Sequence, residues 1–303
     1  MAQDLPVATL GRTGLPVTRL GYGATEIRGA PGGRPITDDE AAQILNAVLD
    51  AGINYLDTSI DYGRSEELIG KYISHRRSEF YLASKCGCPV GDLPPREHVF
   101  TRDNIVAGVH QSLTRLQTDY LDAVQFHASP SRAVLEQENA IQTLLDLQQA
   151  GKIRFLGSSA TLPHLPDHIA MGVFDVFQIP YSALEREHED WITKAAEAGA
   201  GIVIRGGVAQ GQPGEGMGRA EKWQRFDEAS LDDLREEGES RTAFLLRFTL
   251  SHPHMHTTIV ATKNPEHLKE NLRAVQAGPL PADVYAEAKR RLAGAGLSPA
   301  PVS

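Results

Sequence analysis

The sequence predicts an α/β fold, a (β/α)8 or TIM barrel preceded by a β-hairpin, on three observations. From Leu20 onward, eight short apolar runs alternate with helical runs, and parallel strands need crossover connections of that kind. The strand runs are continuously apolar, as expected of strands covered on both faces. No G-x-G-x-x-G follows the first of them, which counts against an open dinucleotide-binding sheet, and eight units in one chain fit a closed barrel.

Taken in order, Val7–Leu10 and Val17–Leu20 flank a turn with Gly11, Gly14 and Pro16 and read as a hairpin. Leu20–Thr25 is a strand with Gly21 and Gly23. Glycine there admits a ligand closely, so Gly23 and neighbouring Thr25 are candidate cofactor contacts. Helix and strand then alternate: helix 40–50, strand 53–57, helix 66–72, strand 80–85, a helix started by Thr101 and Asp103, strand 120–126, helix 140–150 closed by Gly151, strand 153–156, helix 165–171 and a strand within 173–180. Helix 190–198, closed by Gly199, leads to strand 202–204. Helix 240–251, strand 257–260 and helix 266–276 complete the repeat, and an extra helix covers 282–292. Between Ile204 and Ser240 runs a Gly-rich connection of about 35 residues, a length compact domains reserve for functional or mobile loops. Following the seventh strand, it falls on the catalytic face of a barrel and is expected to cover the site, the alternative being a floppy insertion with a surface helix near 227–237; Trp223 is a candidate for lining a substrate pocket. No Pro/Ser-rich linker interrupts the chain, so residues 1–303 read as one domain.

Composition narrows the function. The net charge of -9, without a Lys/Arg cluster, argues against nucleic-acid or anionic-membrane partners. Two cysteines one residue apart, Cys86 and Cys88, fit a reducing cytoplasm, with Cys86 filling the barrel and Cys88 in a loop. The N-terminus lacks the apolar run of a secretion signal, and no stretch has the roughly 18 apolar residues of a membrane span. The His252, His254 and His256 series has no accompanying carboxylate or Cys and reads as a solvated turn, so no metal ligands are named.

Chemistry in a barrel gathers at the C-terminal ends of strands. The second strand ends in Asp57 with Tyr62 on its loop, the third in Lys85 and the fourth strand at His127. Alone, each is ordinary: a rim charge, a turn aromatic, a packed histidine. Consecutive strand ends converge, however, and bring the four to one volume. An ammonium favours a neighbouring phenolate and lowers the phenol's pKa; a carboxylate holds that ammonium charged; a histidine orients a carbonyl or shares its proton. Such a relay protonates an oxygen as negative charge develops on it. The matching hydride must come from a nicotinamide cofactor.

Leu56-Asp57-Thr58 with Tyr62-Gly63, Lys85, His127, Gly151-Lys152-Ile153-Arg154, and Lys263 with Glu270-Asn271 together resemble the aldo-keto reductases, over nearly the whole chain. The resemblance implies a (β/α)8 barrel binding NADP(H), with NAD(H) as the alternative. It implies a cytoplasmic monomer or simple homo-oligomer that reduces aldehydes and ketones, or runs the reverse reaction on an alcohol or sugar. Tyr62 would be the general acid, tuned by Lys85 and Asp57, with His127 orienting the carbonyl. Ser159 and Gln178 fall where the family holds the nicotinamide carboxamide, but Ala160 replaces the usual Asn. Arg205 stands where many members have a stacking aromatic; beside an oxidised, positively charged nicotinamide it would repel, favouring the reduced cofactor. Lys263 and Asn264 would hold a 2′-phosphate near a helix N-terminus, with Glu270 and Asn271 near adenine and His267 in place of the usual Arg or Gln. Substrate specificity is expected in 26–35, where Arg28 and Arg34 fit a polar or acidic substrate, and in 87–100, 128–135 and 207–239. A cofactor-binding sensor with little turnover is the rival of another class.

Overall fold

The computed structural model describes residues 5–91 and 97–302. Residues 92–96, part of the 87–100 segment expected to set specificity, lie outside the described residues. Strands β1 (Val7–Thr9) and β2 (Pro16–Thr18) form the antiparallel hairpin. Eight parallel strands follow: β3 (Leu20–Gly23), β4 (Tyr55–Asp57), β5 (Tyr81–Cys86), β6 (Leu121–Phe126), β7 (Ile153–Ser158), β8 (Val176–Pro180), β9 (Gly201–Arg205) and β10 (Thr257–Val260). They close in sequence order, β10 pairing with both β9 and β3. The expected barrel, hairpin and final helix (Ala282–Gly294) are all present.

Local signals set the helix ends. Thr37 and Glu40 make a reciprocal capping box at the start of Asp38–Asp50, and Gly172 ends Leu165–Met171 in the left-handed conformation. One helix, Arg132–Gln137, was not anticipated; it is six residues long and is started by the Ser131 side chain. The long connection after β9 holds a helix at Ala220–Glu228 and a 3-10 turn at Leu231–Leu234, not a helix across 227–237. Trp223 and Phe226, one turn apart, stack and bury against the core, which shifts the helix toward the N-terminal side.

Side chains pack in two layers. Outside the strands lies the larger core, shared with the helices. Inside, Leu10, Leu15 and Val17 of the hairpin region pack with Tyr55, Ala83, Ala123, Val176 and Val203. The hairpin therefore plugs the N-terminal end of the barrel. Gly11 makes this possible: at φ +48° its absent Cβ would lie 2.3 Å from the Gly201 nitrogen. Along β5 the period-two rule turns Ala83 and Lys85 inward and Leu82 and Cys86 outward. Cys86 thus packs against the helices, correcting the expectation that it fills the barrel. With one end plugged by apolar residues, the open end is the C-terminal mouth, where Asp57, Lys85 and His127 arrive.

Candidate active site

Near the mouth, the barrel interior changes from apolar to polar. Asp57 and Lys85 are about 1% exposed, and Lys85 Nζ donates to Asp57 Oδ1 at 2.5 Å and to the Thr58 carbonyl at 3.0 Å. The same Oδ1 accepts from Gln125 Nε2 at 2.9 Å and Gln178 Nε2 at 2.8 Å. Strand register produces this: Lys85 lies beside Gln125, and Gln125 beside Gly157. A Cβ at Gly157 would fall 2.7 Å from Gln125 Cγ, so the glycine leaves the amide its place. Gln178 also accepts from Ser159 Oγ at 3.4 Å. Gln125 escaped the sequence reading; its one signal was an amide inside a mostly apolar strand that also carries Asp122.

Tyr62 sits above this network on the loop after β4. Its N–H donates to the Ser59 carbonyl at 3.1 Å, and its own carbonyl accepts from Ser65 at 2.8 Å. Gly63 follows at φ +47°, where a Cβ would meet the Arg28 carbonyl oxygen at 2.4 Å. The half-buried Tyr62 phenol has its pKa raised by burial above the ordinary 10.0, although Lys85 pulls it down. This corrects the expected net lowering: desolvation of the phenolate outweighs the ammonium. At neutral pH Tyr62 is consequently held as the proton-bearing acid. His127, at the end of β6, lies edge-on to Tyr62 with ring centroids 6.2 Å apart. Burial lowers its pKa to about 4, so the ring is neutral at pH 7. Its Nδ1 lies 3.3 Å from Cys88 Sγ and 3.5 Å from Asp61 Oδ2. Cys88 is fully buried here, and burial raises its thiol to about 12, so it carries a proton.

Two cavities meet at Tyr62. The larger, about 390 Å³, reaches from Gly23, Thr25, Tyr62, Gln178 and Arg205 to His267, Glu270 and Asn271 on the helix Pro265–Ala277. The smaller, about 240 Å³, shares Tyr62, Gln178 and Arg205 and adds His127, Ala128, Ser129, Ser159 and Thr161. The glycine-rich segment 206–217 walls the larger cavity with Gly206, Gln210, Gly216 and Met217, as the covering-loop expectation required. Arg28 and Arg34 line the larger cavity as well, so they face the space of an elongated ligand, not the small pocket beside His127.

Several expectations change. Lys263 and Asn264 do not line the cavity: Lys263 Nζ donates to the Pro35 carbonyl, and the Asn264 side chain caps the helix by accepting from Glu266 N at 2.9 Å. Trp223 donates to the Ala209 carbonyl at 3.2 Å and anchors the long loop instead of lining either cavity. The 252–256 histidines are not a solvated turn. His252 is buried, accepting from His254 N, and His256 Nδ1 accepts from Ile202 N.

The larger cavity fits a dinucleotide by the chemistry of its walls. Arg28 and a helix N-terminus offer sites for phosphates, while Arg34, on the same wall, is already paired with the Glu26 carboxylate. Gln178, which lines both cavities, presents an amide beside Tyr62 and accepts from Ser159 of the smaller cavity. At Gly206 nothing lies within 4 Å of where a Cβ would stand, which keeps a side chain out of the open space.

Comparison with known proteins bears on the family and the fold. The sequence model of the Aldo/keto reductase family matches residues 19–292. An uncharacterized oxidoreductase of Bacillus subtilis, YqkF, is 28% identical over 88% of this chain and 90% of its own length. L-galactose dehydrogenase of Arabidopsis thaliana is 26% identical over 89% of this chain and 88% of its own. The holo form of an aldo-keto reductase from Bacillus halodurans superimposes with a TM-score of 0.83 at 26% identity, covering 95% of this chain and 96% of that one. Among the described residues no helix is long and apolar enough to cross a membrane.

Proposed function

The chain belongs to the aldo/keto reductase family, as an NAD(P)H-dependent oxidoreductase of carbonyl compounds, and from that premise we propose that it reduces an aldehyde or ketone with NADP(H), with Tyr62 as general acid. The observation that carries this reading is the meeting of the two cavities at a protonated Tyr62 above the buried Lys85–Asp57 pair. The long cavity takes the cofactor and the small one the carbonyl compound. When bound, the cofactor supplies a hydride to the carbonyl carbon.

The chain's own groups do the rest. Tyr62 Oη gives its proton to the carbonyl oxygen as charge develops there. Lys85 stabilises the phenolate left behind, lowering its cost. Asp57 holds the ammonium charged, and Gln125 and Gln178 hold Asp57. Neutral His127 orients the carbonyl. On the cofactor, Gln178 and Ser159 would take the carboxamide and Arg205 would lie by the nicotinamide, with Gly23 and Thr25 along the same cavity; Asp57, about 1% exposed and held by Lys85, Gln125 and Gln178, lines neither cavity and would act only through those partners. Arg28, Arg34 and the helix bearing His267, Glu270 and Asn271 would hold the phosphate and adenine end. Lys263, whose ammonium already donates to the Pro35 carbonyl, would have to turn toward the cavity to reach a 2′-phosphate.

Fluorescence titration with NADPH and NADH, then cofactor absorbance decay with a panel of aldehydes and ketones, tests the reading. Tyr62→Phe should retain binding and lose turnover by about 10²–10⁴-fold. Binding without turnover across the panel, unaltered by Tyr62→Phe, would overturn it. Oxidation of a sugar is the second reading, favoured by the name of the Arabidopsis relative, and the same panel run with aldoses and NADP⁺ separates the two.

A further inference from the structure

We propose that Asp61, Cys88, His98 and His127 form a binding site for Zn²⁺ or a similar thiolate-seeking divalent cation beside the catalytic mouth. One donor atom from each residue lies within 4.8 Å of every other. The shortest separations from His127 Nδ1 are 3.3 Å to Cys88 Sγ and 3.5 Å to Asp61 Oδ2. Zinc–ligand bonds of roughly 2.0–2.3 Å imply donor–donor edges of about 3.3–3.8 Å in a tetrahedron. The cluster thus needs only small side-chain adjustments to close around an ion.

The donors are available. His98 Nε2 is buried and has no hydrogen-bond partner among the described residues, an expensive condition for a polar atom. The His98 ring is set edge-on to His127 at 4.9 Å and lies over Phe100. Asp61 uses Oδ1 to accept from Ser59 Oγ at 2.5 Å, and its Oδ2 faces His127. Binding displaces the Cys88 proton to solvent, so thiolate and carboxylate offset the two charges of the ion. Thiolate with imidazole selects zinc over magnesium or calcium. Four protein donors leave no open position, which makes this a closed, structural type of site.

A cation on Nδ1 fixes the imidazole hydrogen on Nε2, the tautomer able to donate to a carbonyl oxygen. That consequence, unlike binding itself, rests on the proposed role of His127.

The test is read without turnover, so its failure is separable from failure of the reductase reading. The chain is freed of metal with a chelator and titrated with Co²⁺. One equivalent should produce tetrahedral visible bands and a thiolate-to-cobalt charge-transfer band, both bleached by Zn²⁺. Cys88→Ser should abolish the charge-transfer band. His98→Ala should weaken binding more than about tenfold, since loss of even supporting partners costs roughly 10–100-fold; His254→Ala should change nothing. Absence of the thiolate band in the wild-type chain would overturn the proposal, as would its persistence in Cys88→Ser, which would point to Cys86.

Discussion

The Lys85–Asp57 pair offers the sharpest test of how this barrel is held together, through a double-mutant cycle. Both side chains are at most 1% exposed, so each charge depends on the other. Removing one partner of a buried pair costs about 3–5 kcal/mol, because the remaining charge stays desolvated. Lys85→Met should fall at the lower end, since the Asp57 carboxylate keeps two amide donors at 2.8 and 2.9 Å. Asp57→Asn should fall at the upper end: Gln125 and Gln178 keep an acceptor, but the ammonium keeps only neutral oxygens, including the Thr58 carbonyl at 3.0 Å. The double variant removes both charges and strands one amide N–H₂ beside a thioether, at about 1–3 kcal/mol. The singles together would cost about 6–10 kcal/mol, so the double should be milder than their sum by at least about 3 kcal/mol. Equilibrium urea unfolding at pH 7, followed through the buried Trp191 and Trp223, measures all four species. Costs that simply add would refute the reasoning, showing that the two charges do not depend on one another.

Other outcomes follow from the same geometry. With His127 lowered to about 4 and Tyr62 raised above 10.0, the reductive rate should be flat between about pH 5 and 9, falling below that window as His127 gains a proton and above it as Tyr62 loses one; a titration centred near pH 7 in kcat would contradict both assignments. Gly157→Ala should destabilise by about 1–3 kcal/mol, because its methyl overlaps Gln125, and an unchanged urea midpoint would show that Gln125 has room to move. Trp223→Ala should cost about 3–5 kcal/mol and speed proteolytic cleavage in the 206–217 segment that the indole anchors, with cleavage sites read by mass spectrometry. Arg205→Tyr should reduce the preference for NADPH over NADP⁺ in titration; an unchanged ratio removes the charge argument for Arg205.

The barrel was legible because its period is written locally. Apolar runs, helix-start residues such as Thr101, and glycines closing the helices each need only neighbours in the chain. Asp57, Tyr62, Lys85 and His127 were legible for a related reason: each is an unusual group at or just after a strand end, and the barrel rule brings consecutive ends together. The direction of the Tyr62 shift was not legible, since it balances burial against an ammonium and burial belongs to the folded chain. Nor was Gln125, whose role depends on the lateral register that sets it beside Lys85 and gives it the space of Gly157. The roles of Lys263 and Asn264 were changed by partners that arrive through folding and capping.

By itself, then, the sequence determined the strand and helix order, the polar groups at the barrel mouth and the family. Only the tertiary structure decided that two cavities share Tyr62, that Cys86 faces the helices while Cys88 touches His127, and that Asp61 and His98 complete a ligand-like cluster there. The physical reason is range: periodicity and caps act over a few residues, whereas desolvation and donor geometry depend on atoms that only barrel closure brings within a few ångströms.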